Sequence, residues 1–439
     1  MPRSAQLFHR LERRQVLGGM AAFAAAGALR PHQAFAMANA SGGLSAVRLK
    51  KLTQGMQSYI DRSFIAGAET LIWRHGTLAH TEVLGWQDEA GKIPLKPDTI
   101  YRLASMSKPV TAVAALILLE DGIFRLTDPV DRWLPELADR KVLKNPAGPL
   151  DDTYPSPRPI TIEDLLTQRL GLATSLGGAE GPMAAAMATL RDADGVDDYL
   201  KRLGRIPLVY PPGDRLIYGE GLTIMGLLVG RASGMGFPEF LQARLFGPLG
   251  MADSGFWVPR EKAARLAVGY SFDKAVGKKK VADVPSTSHF LQPPKVPSGA
   301  GGLVSTGDDY LKFGRMLLGN GQLENEKGDG TRILSRKTVE LMTTDFLTLA
   351  QRKLPFFNDT SFWNGQGYGL GVSVVDNVAG REEPTSIGQY GWNGAWGTLW
   401  LNDPKEEMTA ILMIQTRFDE TAPRIQQDFR DWVYQAIDD

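Results

Sequence analysis

Tyr101-Arg-Leu-Ala-Ser-Met-Ser-Lys-Pro-Val-Thr-Ala-Val-Ala114 is the stretch of this sequence from which the fold can be inferred. It places Ser105 three positions before Lys108 and leads into Val110 to Leu119, which is apolar almost all round. A helix that is apolar on every side belongs in a protein interior. Residues three apart on a helix face each other, so a helix starting near Ser105 brings hydroxyl and amine together at its N-terminal tip. The free N–H groups there favour developing negative charge. We therefore predict a serine nucleophile with a lysine as its proton acceptor.

The composition excludes several other kinds of site. The 439 residues contain 49 basic and 49 acidic side chains and no cysteine, so disulfides, thiol catalysis and cysteine-bound zinc are excluded and nucleic-acid binding has no support. Neither a G-x-S-x-G nor an H-E-x-x-H motif occurs. Histidine is scarce, which favours a lysine and tyrosine acid–base system; the five are His9, His32, His75, His80 and His289.

An S-x-x-K motif alone is weak evidence, because two fixed positions in four recur by chance. The wording Ser105-Met-Ser-Lys-Pro-Val110, however, resembles the serine β-lactamases and penicillin-binding proteins, in which this serine is acylated. It is especially similar to the family VIII carboxylesterases, which share the class C β-lactamase fold. The resemblance implies an α/β fold, in which an antiparallel sheet flanked by helices adjoins a mostly helical part, with a cleft between them.

The order of the predicted elements suits that fold, with strands at both ends of the chain and helices in the middle. We expect a serine hydrolase domain at 44–439, with an α/β part at 44–103 and 300–439 and a helical part at 104–299. Helices are expected after Ser45, Thr161 and Thr306, over Leu222–Ala232 and over Pro423–Ile437. Strands are expected in a hairpin over 70–85 and at Tyr368–Asp376, Ser386–Trp392, Thr398–Asn402 and Met408–Thr416. Where the family has T-H-x-x-G-L, this chain has Thr167-Gln-Arg-Leu-Gly-Leu172.

The first 36 residues have the pattern of an export signal. Arg13-Arg14-Gln-Val-Leu17 resembles a twin-arginine motif, an apolar run extends from Val16 to Leu29, and Ala34-Phe-Ala36 is a cleavage site, with Ala38-Asn-Ala40 a second one. A run of about 14 residues is too short for a membrane span of ~20. We therefore predict a twin-arginine-type signal peptide at 1–36 and a periplasmic or secreted protein without a membrane span after signal removal. A structural N-terminal helix is the alternative.

Tyr218-Gly-Glu220, after the turn Pro211-Pro-Gly-Asp214, corresponds to the Y-x-N motif of the resembling family. The resemblance implies that Tyr218 hydrogen-bonds the nucleophile and passes its proton to the leaving group. The alternative is a packed aromatic side chain. Glu220 stands where the family has asparagine, and we expect it to add negative charge beside the site.

A third motif lies in Tyr390-Gly-Trp-Asn-Gly-Ala-Trp-Gly-Thr398. Class C β-lactamases have K-T-G at this place, whereas family VIII esterases often have W-x-G, which Trp392-Asn393-Gly394 matches. The resemblance implies that the Ala395 N–H joins that of Ser105 in an oxyanion hole. The alternative is a β-hairpin with a glycine-rich turn.

The two departures from the family motifs, at Trp392 and Glu220, favour uncharged substrates. Trp392 replaces a lysine that would meet a substrate carboxylate, and Glu220 should repel anions. The sequence thus predicts an exported carboxylesterase that acts on small neutral esters and implies no metal or cofactor. A β-lactamase, a D-alanyl-D-alanine carboxypeptidase and an acyltransferase remain alternatives. A non-catalytic binding protein on this fold would be expected to have lost Ser105, Lys108 or Tyr218, and all three are present.

Overall fold

The computed structural model describes residues 41–173, 181–324, 330–357, 359–417 and 423–439. The predicted signal peptide and both of its cleavage sites lie outside these residues. Within the described ranges, no helix combines the length and the apolar character that crossing a membrane requires.

An eight-stranded antiparallel sheet forms the centre of the molecule, in the spatial order β12-β13-β14-β15-β16-β1-β2-β3. Two strands from opposite ends of the chain pair at its middle, with Glu69 opposite Met413. The predicted terminal strands therefore build one sheet. Its strands are β1 (Gly67–Arg74), β2 (Thr77–Asp88), β3 (Ile93–Pro94), β12 (Gln366–Tyr368), β13 (Ser373–Val375), β14 (Tyr390–Asn393), β15 (Leu399–Asp403) and β16 (Met408–Met413).

Shorter strands join the connecting segments to one another. In particular, β17 and a hairpin from the middle of the chain make a three-stranded sheet. These strands are β4 (Tyr101–Arg102), β5 (Lys141–Leu143), β6 (Thr153–Pro155), β7 (Gly269–Asp273), β8 (Lys278–Asp283), β9 (Val304–Ser305), β10 (Gln322–Glu324), β11 (Gly330–Arg332) and β17 (Thr416–Arg417).

The α-helices cover the sheet and build the middle of the chain. They are α1 (Ala46–Asp61), α2 (Ser107–Glu120), α3 (Ile162–Leu166), α4 (Gly181–Ala188), α5 (Val196–Arg205), α6 (Gly221–Ser233), α7 (Phe237–Leu241), α8 (Gly247–Leu249), α9 (Gly307–Leu318), α10 (Arg336–Met342) and α11 (Ile425–Gln435).

The two faces of the central sheet pack into different cores, because successive residues of a strand point to opposite sides. Ile72 and Leu412 pack with α1 and α11. Leu71 and Ile411 pack with α2, α6 and α9 in the larger core. The helix that carries Lys108 is therefore deep in the molecule, and all its residues from Ser107 to Leu118 are buried, as its apolar sequence predicts.

The local helix signals are confirmed. Thr161 and Asp164 form a capping box at α3, Thr306 accepts a hydrogen bond from the Asp309 N–H at α9, and Gly234 ends α6 in the left-handed conformation. Ser45 precedes α1 as expected, but its side chain makes no capping hydrogen bond.

Three predicted strands are divided or shortened in the structure, and the others differ only at their ends. Met408–Thr416 is divided between β16 and β17. Tyr368–Asp376 is divided between β12 and β13 by a turn at Gly371, whose φ of +79° suits glycine. The predicted strand Ser386–Trp392 begins only at Tyr390, because residues 386–389 form a turn closed by the Gln389 N–H and the Ser386 carbonyl.

Candidate active site

Ser105 and Lys108 come together at the beginning of α2. Ser105 lies in a single 3₁₀ turn, Ala104–Met106, that follows β4 and runs directly into α2. Lys108 Nζ is 3.0 Å from Ser105 Oγ and donates a 2.7 Å hydrogen bond to the Ala300 carbonyl. The lysine is 1% exposed, whereas Ser105 is only partly buried. The Ala300 carbonyl thus holds the Lys108 amine close to the Ser105 hydroxyl.

The turn before Ser105 has an unusual backbone conformation. Ala104 has a φ of +45°, a left-handed value that costs a non-glycine residue about 1–2 kcal/mol. Such values persist where the surroundings enforce them, and they are frequent at functional sites. The residue before Ala104 is held by a hydrogen bond from the Leu103 N–H to the Leu303 carbonyl, 2.9 Å long.

Tyr218 lies beside Lys108, but its hydroxyl has a different partner from the one that the family resemblance implies. Lys108 Nζ is 4.2 Å from the centre of the Tyr218 ring. The Trp392 indole N–H donates a 2.8 Å hydrogen bond to the Tyr218 hydroxyl, and no hydrogen bond joins Tyr218 to Ser105 in the described part of the chain. A buried indole N–H requires an acceptor, and the phenol oxygen supplies it.

The end of β14 approaches the nucleophile turn closely. A Cβ atom on Gly394 would lie 2.2 Å from the Leu103 carbonyl oxygen, so only glycine fits. Thr398 Oγ1 also donates to that carbonyl, at 3.2 Å. The next N–H, that of Ala395, finds no acceptor among the described residues. Ser105 and Ala395 face one pocket, which is the arrangement that two oxyanion donors need.

This pocket has a volume of about 670 Å³. One side is aromatic, formed by Tyr218, Phe356, Phe357, Phe362 and Trp392. The lining also includes three basic and three acidic residues, namely Arg381, Arg424, Arg430, Asp359, Glu382 and Glu383. The charges of the lining therefore balance.

Charged residues of the lining also hydrogen-bond to the third motif. Arg430 donates to the Asn393 side-chain oxygen and to Glu383, both at 3.1 Å, and Arg381 also contacts Glu383. Burial opposes ionisation of Glu383, but the two arginines outweigh it and lower the pKa of this carboxyl. Asn393 thus lines the pocket while its side chain is bound by a neighbour on α11.

Glu220 is not brought to this pocket. Its carboxylate accepts a 3.0 Å hydrogen bond from the Tyr199 hydroxyl, and it lines a separate cavity with Thr223 and Ser298. The expectation that Glu220 places negative charge beside the nucleophile is therefore wrong. The cause is that α6 begins at Gly221, and the preceding residue points toward α5.

Gln168 and Phe356 are two residues near the site that the sequence did not single out. Gln168 contacts the backbone on both sides of Tyr218. Its only signal in the sequence was the departure from T-H-x-x-G-L. Phe356 stacks on Phe362 with the ring centres 4.1 Å apart, and no motif marked either residue. His75, His80 and His289 do not line the pocket.

Comparison with known proteins identifies the family to which this chain is similar. A family model described as Beta-lactamase matches residues 51–431. The chain is 39% identical to "Uncharacterized protein MT1414" of Mycobacterium tuberculosis over 81% of this chain and 87% of that protein. It is 29% identical to "Esterase EstB" of Burkholderia gladioli over 84% of this chain and 91% of that protein.

A solved structure has the same fold. It is described as "EstCE1, a hydrolase with promiscuous acyltransferase activity" and superposes with a TM-score of 0.74 and 25% identity. The match covers 91% of this chain and all of that one.

Proposed function

Since the chain belongs to the beta-lactamase family and is a serine hydrolase or acyltransferase of that fold, we propose that it is a carboxylesterase that cleaves small neutral esters through an acylated Ser105. The observation that carries this proposal is the 3.0 Å approach of Lys108 Nζ to Ser105 Oγ inside a pocket shared with Tyr218 and Ala395.

The proposed mechanism requires Lys108 to accept the proton of Ser105 as a neutral amine. A neutral amine has one lone pair and two N–H bonds, so it can donate to the Ala300 carbonyl and accept the proton of Ser105 Oγ. The deprotonated oxygen attacks the ester carbonyl, and the N–H groups of Ser105 and Ala395 stabilise the negative charge on the carbonyl oxygen. Tyr218 gives a proton to the departing alcohol. Water then hydrolyses the acyl-serine. It gives a proton back to Tyr218, and Lys108 returns a proton to Ser105 Oγ.

The lining of the pocket favours neutral substrates. Trp392 occupies the position where β-lactam-processing relatives have a lysine, and the aromatic side offers a surface for an apolar acyl or alcohol group. The balanced charges of the lining provide no net attraction for a carboxylate. Glu220 lies outside the pocket and does not line the space that the substrate would occupy.

The test compares p-nitrophenyl esters of increasing acyl length with nitrocefin, a chromogenic β-lactam. We expect kcat/KM to be far higher for short neutral esters. Ser105→Ala should lower kcat by on the order of 10⁶, as loss of a nucleophile does in comparable enzymes. Ser254→Ala, which removes a hydroxyl outside the pocket, should retain activity. A wild type that prefers nitrocefin, or a Ser105→Ala variant that keeps several per cent of the activity, would reject the proposal.

Acyl transfer to an alcohol or amine is the second candidate function, and the structural likeness to EstCE1 favours it. Raising the concentration of an alcohol acceptor at constant ester distinguishes the two. A transferase forms the new ester in excess over the free acid, whereas a hydrolase continues to release mainly acid.

We also propose export through the segment 1–36. Replacing Arg13 and Arg14 by lysine should retain the full-length protein in the cytoplasm, as measured by fractionation. Unchanged export of that variant would contradict a twin-arginine route.

A further inference from the structure

Gln168 lies just after α3, fully buried, in a left-handed backbone conformation with a φ of +60°. A non-glycine residue pays a conformational cost there. Its side-chain Nε2 is also buried, facing the buried Tyr368 hydroxyl without a hydrogen bond of good geometry, which adds a second cost. Neither feature contributes to packing stability, so the position needs another explanation.

The two oxygens of Gln168 bracket Tyr218. The main-chain carbonyl accepts a 2.8 Å hydrogen bond from the Ile217 N–H, and the side-chain Oε1 accepts one of 3.3 Å from the Gly219 N–H. The left-handed conformation of Gln168 lets its main chain and its side chain accept hydrogen bonds from the same segment. The residues directly before and after Tyr218 are thus attached to a single partner.

The segment after Tyr218 is also packed closely against Gln168. A Cβ atom on Gly221 would lie 2.8 Å from Gln168 Oε1, so α6 begins in contact with the amide. Tyr218 itself makes one side-chain hydrogen bond, to Trp392, in the described structure. The backbone position of Tyr218 therefore depends on Gln168, and its side-chain orientation depends on Trp392.

We infer that Gln168 is a positioning residue that holds Tyr218 where it can protonate the leaving group. This inference rests on the proposed role of Tyr218. Gln168 lines no part of the pocket and so acts only through the tyrosine. Removing its acceptor should consequently weaken proton donation while leaving attack by Ser105 largely intact.

Substrates with different leaving groups separate these two steps. A p-nitrophenolate departs without protonation, whereas an alkoxide needs a proton from a general acid. We expect Gln168→Met to lower kcat/KM for an ethyl ester by about tenfold or more, and for the p-nitrophenyl ester of the same acid less than threefold. Tyr218→Phe should give the same pattern with a larger loss. The double variant should lose no more than Tyr218→Phe alone, since one residue works through the other.

Three further variants serve as a second removal of the acceptor, a rescue and a matched control. Gln168→Asn shortens the side chain by one methylene and so moves the acceptor oxygen away from the Gly219 N–H. It replaces Gln168→Met if that variant does not fold, and we expect the same larger loss for the ethyl ester than for the p-nitrophenyl ester. Gln168→His, which restores the residue type of the resembling family and an acceptor nitrogen, should recover most of the ethyl-ester activity. The matched control is Gln87→Met, which alters another buried glutamine, bonded to the Ala264 carbonyl at 2.7 Å and outside the pocket. Both esters should be cleaved normally by this control.

The outcomes are distinguishable. Equal losses on both esters in Gln168→Met and Gln168→Asn, or additive losses in the double variant, would overturn the inference while leaving Tyr218 as the proton donor. A Tyr218→Phe variant that shows no dependence on the leaving group would overturn the proposed role of Tyr218 and, with it, the inference.

Discussion

Trp392 combines two properties in one side chain. Its ring is part of the aromatic side of the pocket, and its indole N–H is bonded to the Tyr218 hydroxyl. A bond of this kind stabilises negative charge on the phenol oxygen, which a proton shuttle acquires for part of the reaction. In the proposed mechanism, Trp392 would therefore contribute to proton transfer as well as to substrate binding.

Trp392→Phe separates these contributions, because it keeps an aromatic ring and removes the donor. We expect kcat to fall about tenfold, the value of one hydrogen bond to a charging group, with KM little changed. Trp363→Phe is the matched control, since Trp363 packs in the same aromatic cluster without lining the pocket. A kcat equal to wild type in Trp392→Phe would show that the bond has no catalytic effect.

Lys108 can be tested with a side chain of similar length. Lys108→Met removes the amine while filling the buried space, so we expect the protein to fold and acylation to slow by about 10²–10⁴-fold. The rate is measured from the burst of p-nitrophenol in a stopped-flow experiment. Lys312→Met, at a lysine on α9 bonded to Asp309, should acylate normally. A normal burst in Lys108→Met would require another base.

The residues of the site differ in how far sequence could predict them. Ser105 and Lys108 are three positions apart, so local helix geometry is enough to bring them together. The Trp392–Tyr218 bond joins residues 174 positions apart and depends on tertiary packing. The direction of Glu220 was predicted wrongly for the same reason, because its Tyr199 partner lies on a different helix.

The element that determines the geometry of the nucleophile is the turn between β4 and α2. Its strain is confined to Ala104, whose positive φ points the chain from the strand into the helix. Side-chain size at this position should therefore control whether the turn forms.

Ala104→Val and Ala104→Gly test that dependence. Valine is branched at Cβ and disfavours positive φ, so we expect it to lower the free energy of unfolding by about 1–3 kcal/mol and to reduce acylation. Glycine relieves the strain but adds freedom to the unfolded chain, and we expect a change within about 1 kcal/mol. Thermal or denaturant unfolding measures both. Equal stability of the valine variant and wild type would mean that the turn is not constrained.

Helices were easier to predict than strands for a physical reason. The caps at Thr161 and Thr306 are formed by residues three positions apart, so their signals are complete within a short window. The pairing of β1 with β16 depends on partners at opposite ends of the chain. Periodicity identified the strands, but it contained no information about their neighbours or register.

At the scale of the whole molecule, Glu69 is a buried carboxyl group in the middle of the central sheet. The side chain is 1% exposed, and burial raises the pKa of this carboxyl to about 8. The folded protein therefore keeps Glu69 protonated at pH values where the unfolded chain, with a value of 4.5, has released the proton.

This difference predicts that stability falls as pH rises. Between about 4.5 and 8 the folded state binds more protons, so the Glu69 contribution is full below 4.5 and is lost toward 8, by up to ~1.4 kcal/mol per pH unit. Glu69→Gln, which cannot ionise, should flatten this part of the stability curve. Urea unfolding of both proteins at several pH values measures the effect. Parallel curves would show that Glu69 is not the responsible group.

The pairing of β1 with β16 also has a consequence for biosynthesis. Glu69 and Met413 are partners, so the middle of the sheet cannot close until the ribosome has made the chain as far as Met413. At 5–20 residues per second, β1 waits roughly 20–70 s for its neighbour. The third motif, on β14, also emerges late, long after Ser105 and Lys108 have been synthesised. A nascent chain therefore carries Ser105 and Lys108 for a long time without a formed pocket, and esterolytic competence begins only after β14 and β16 have been made.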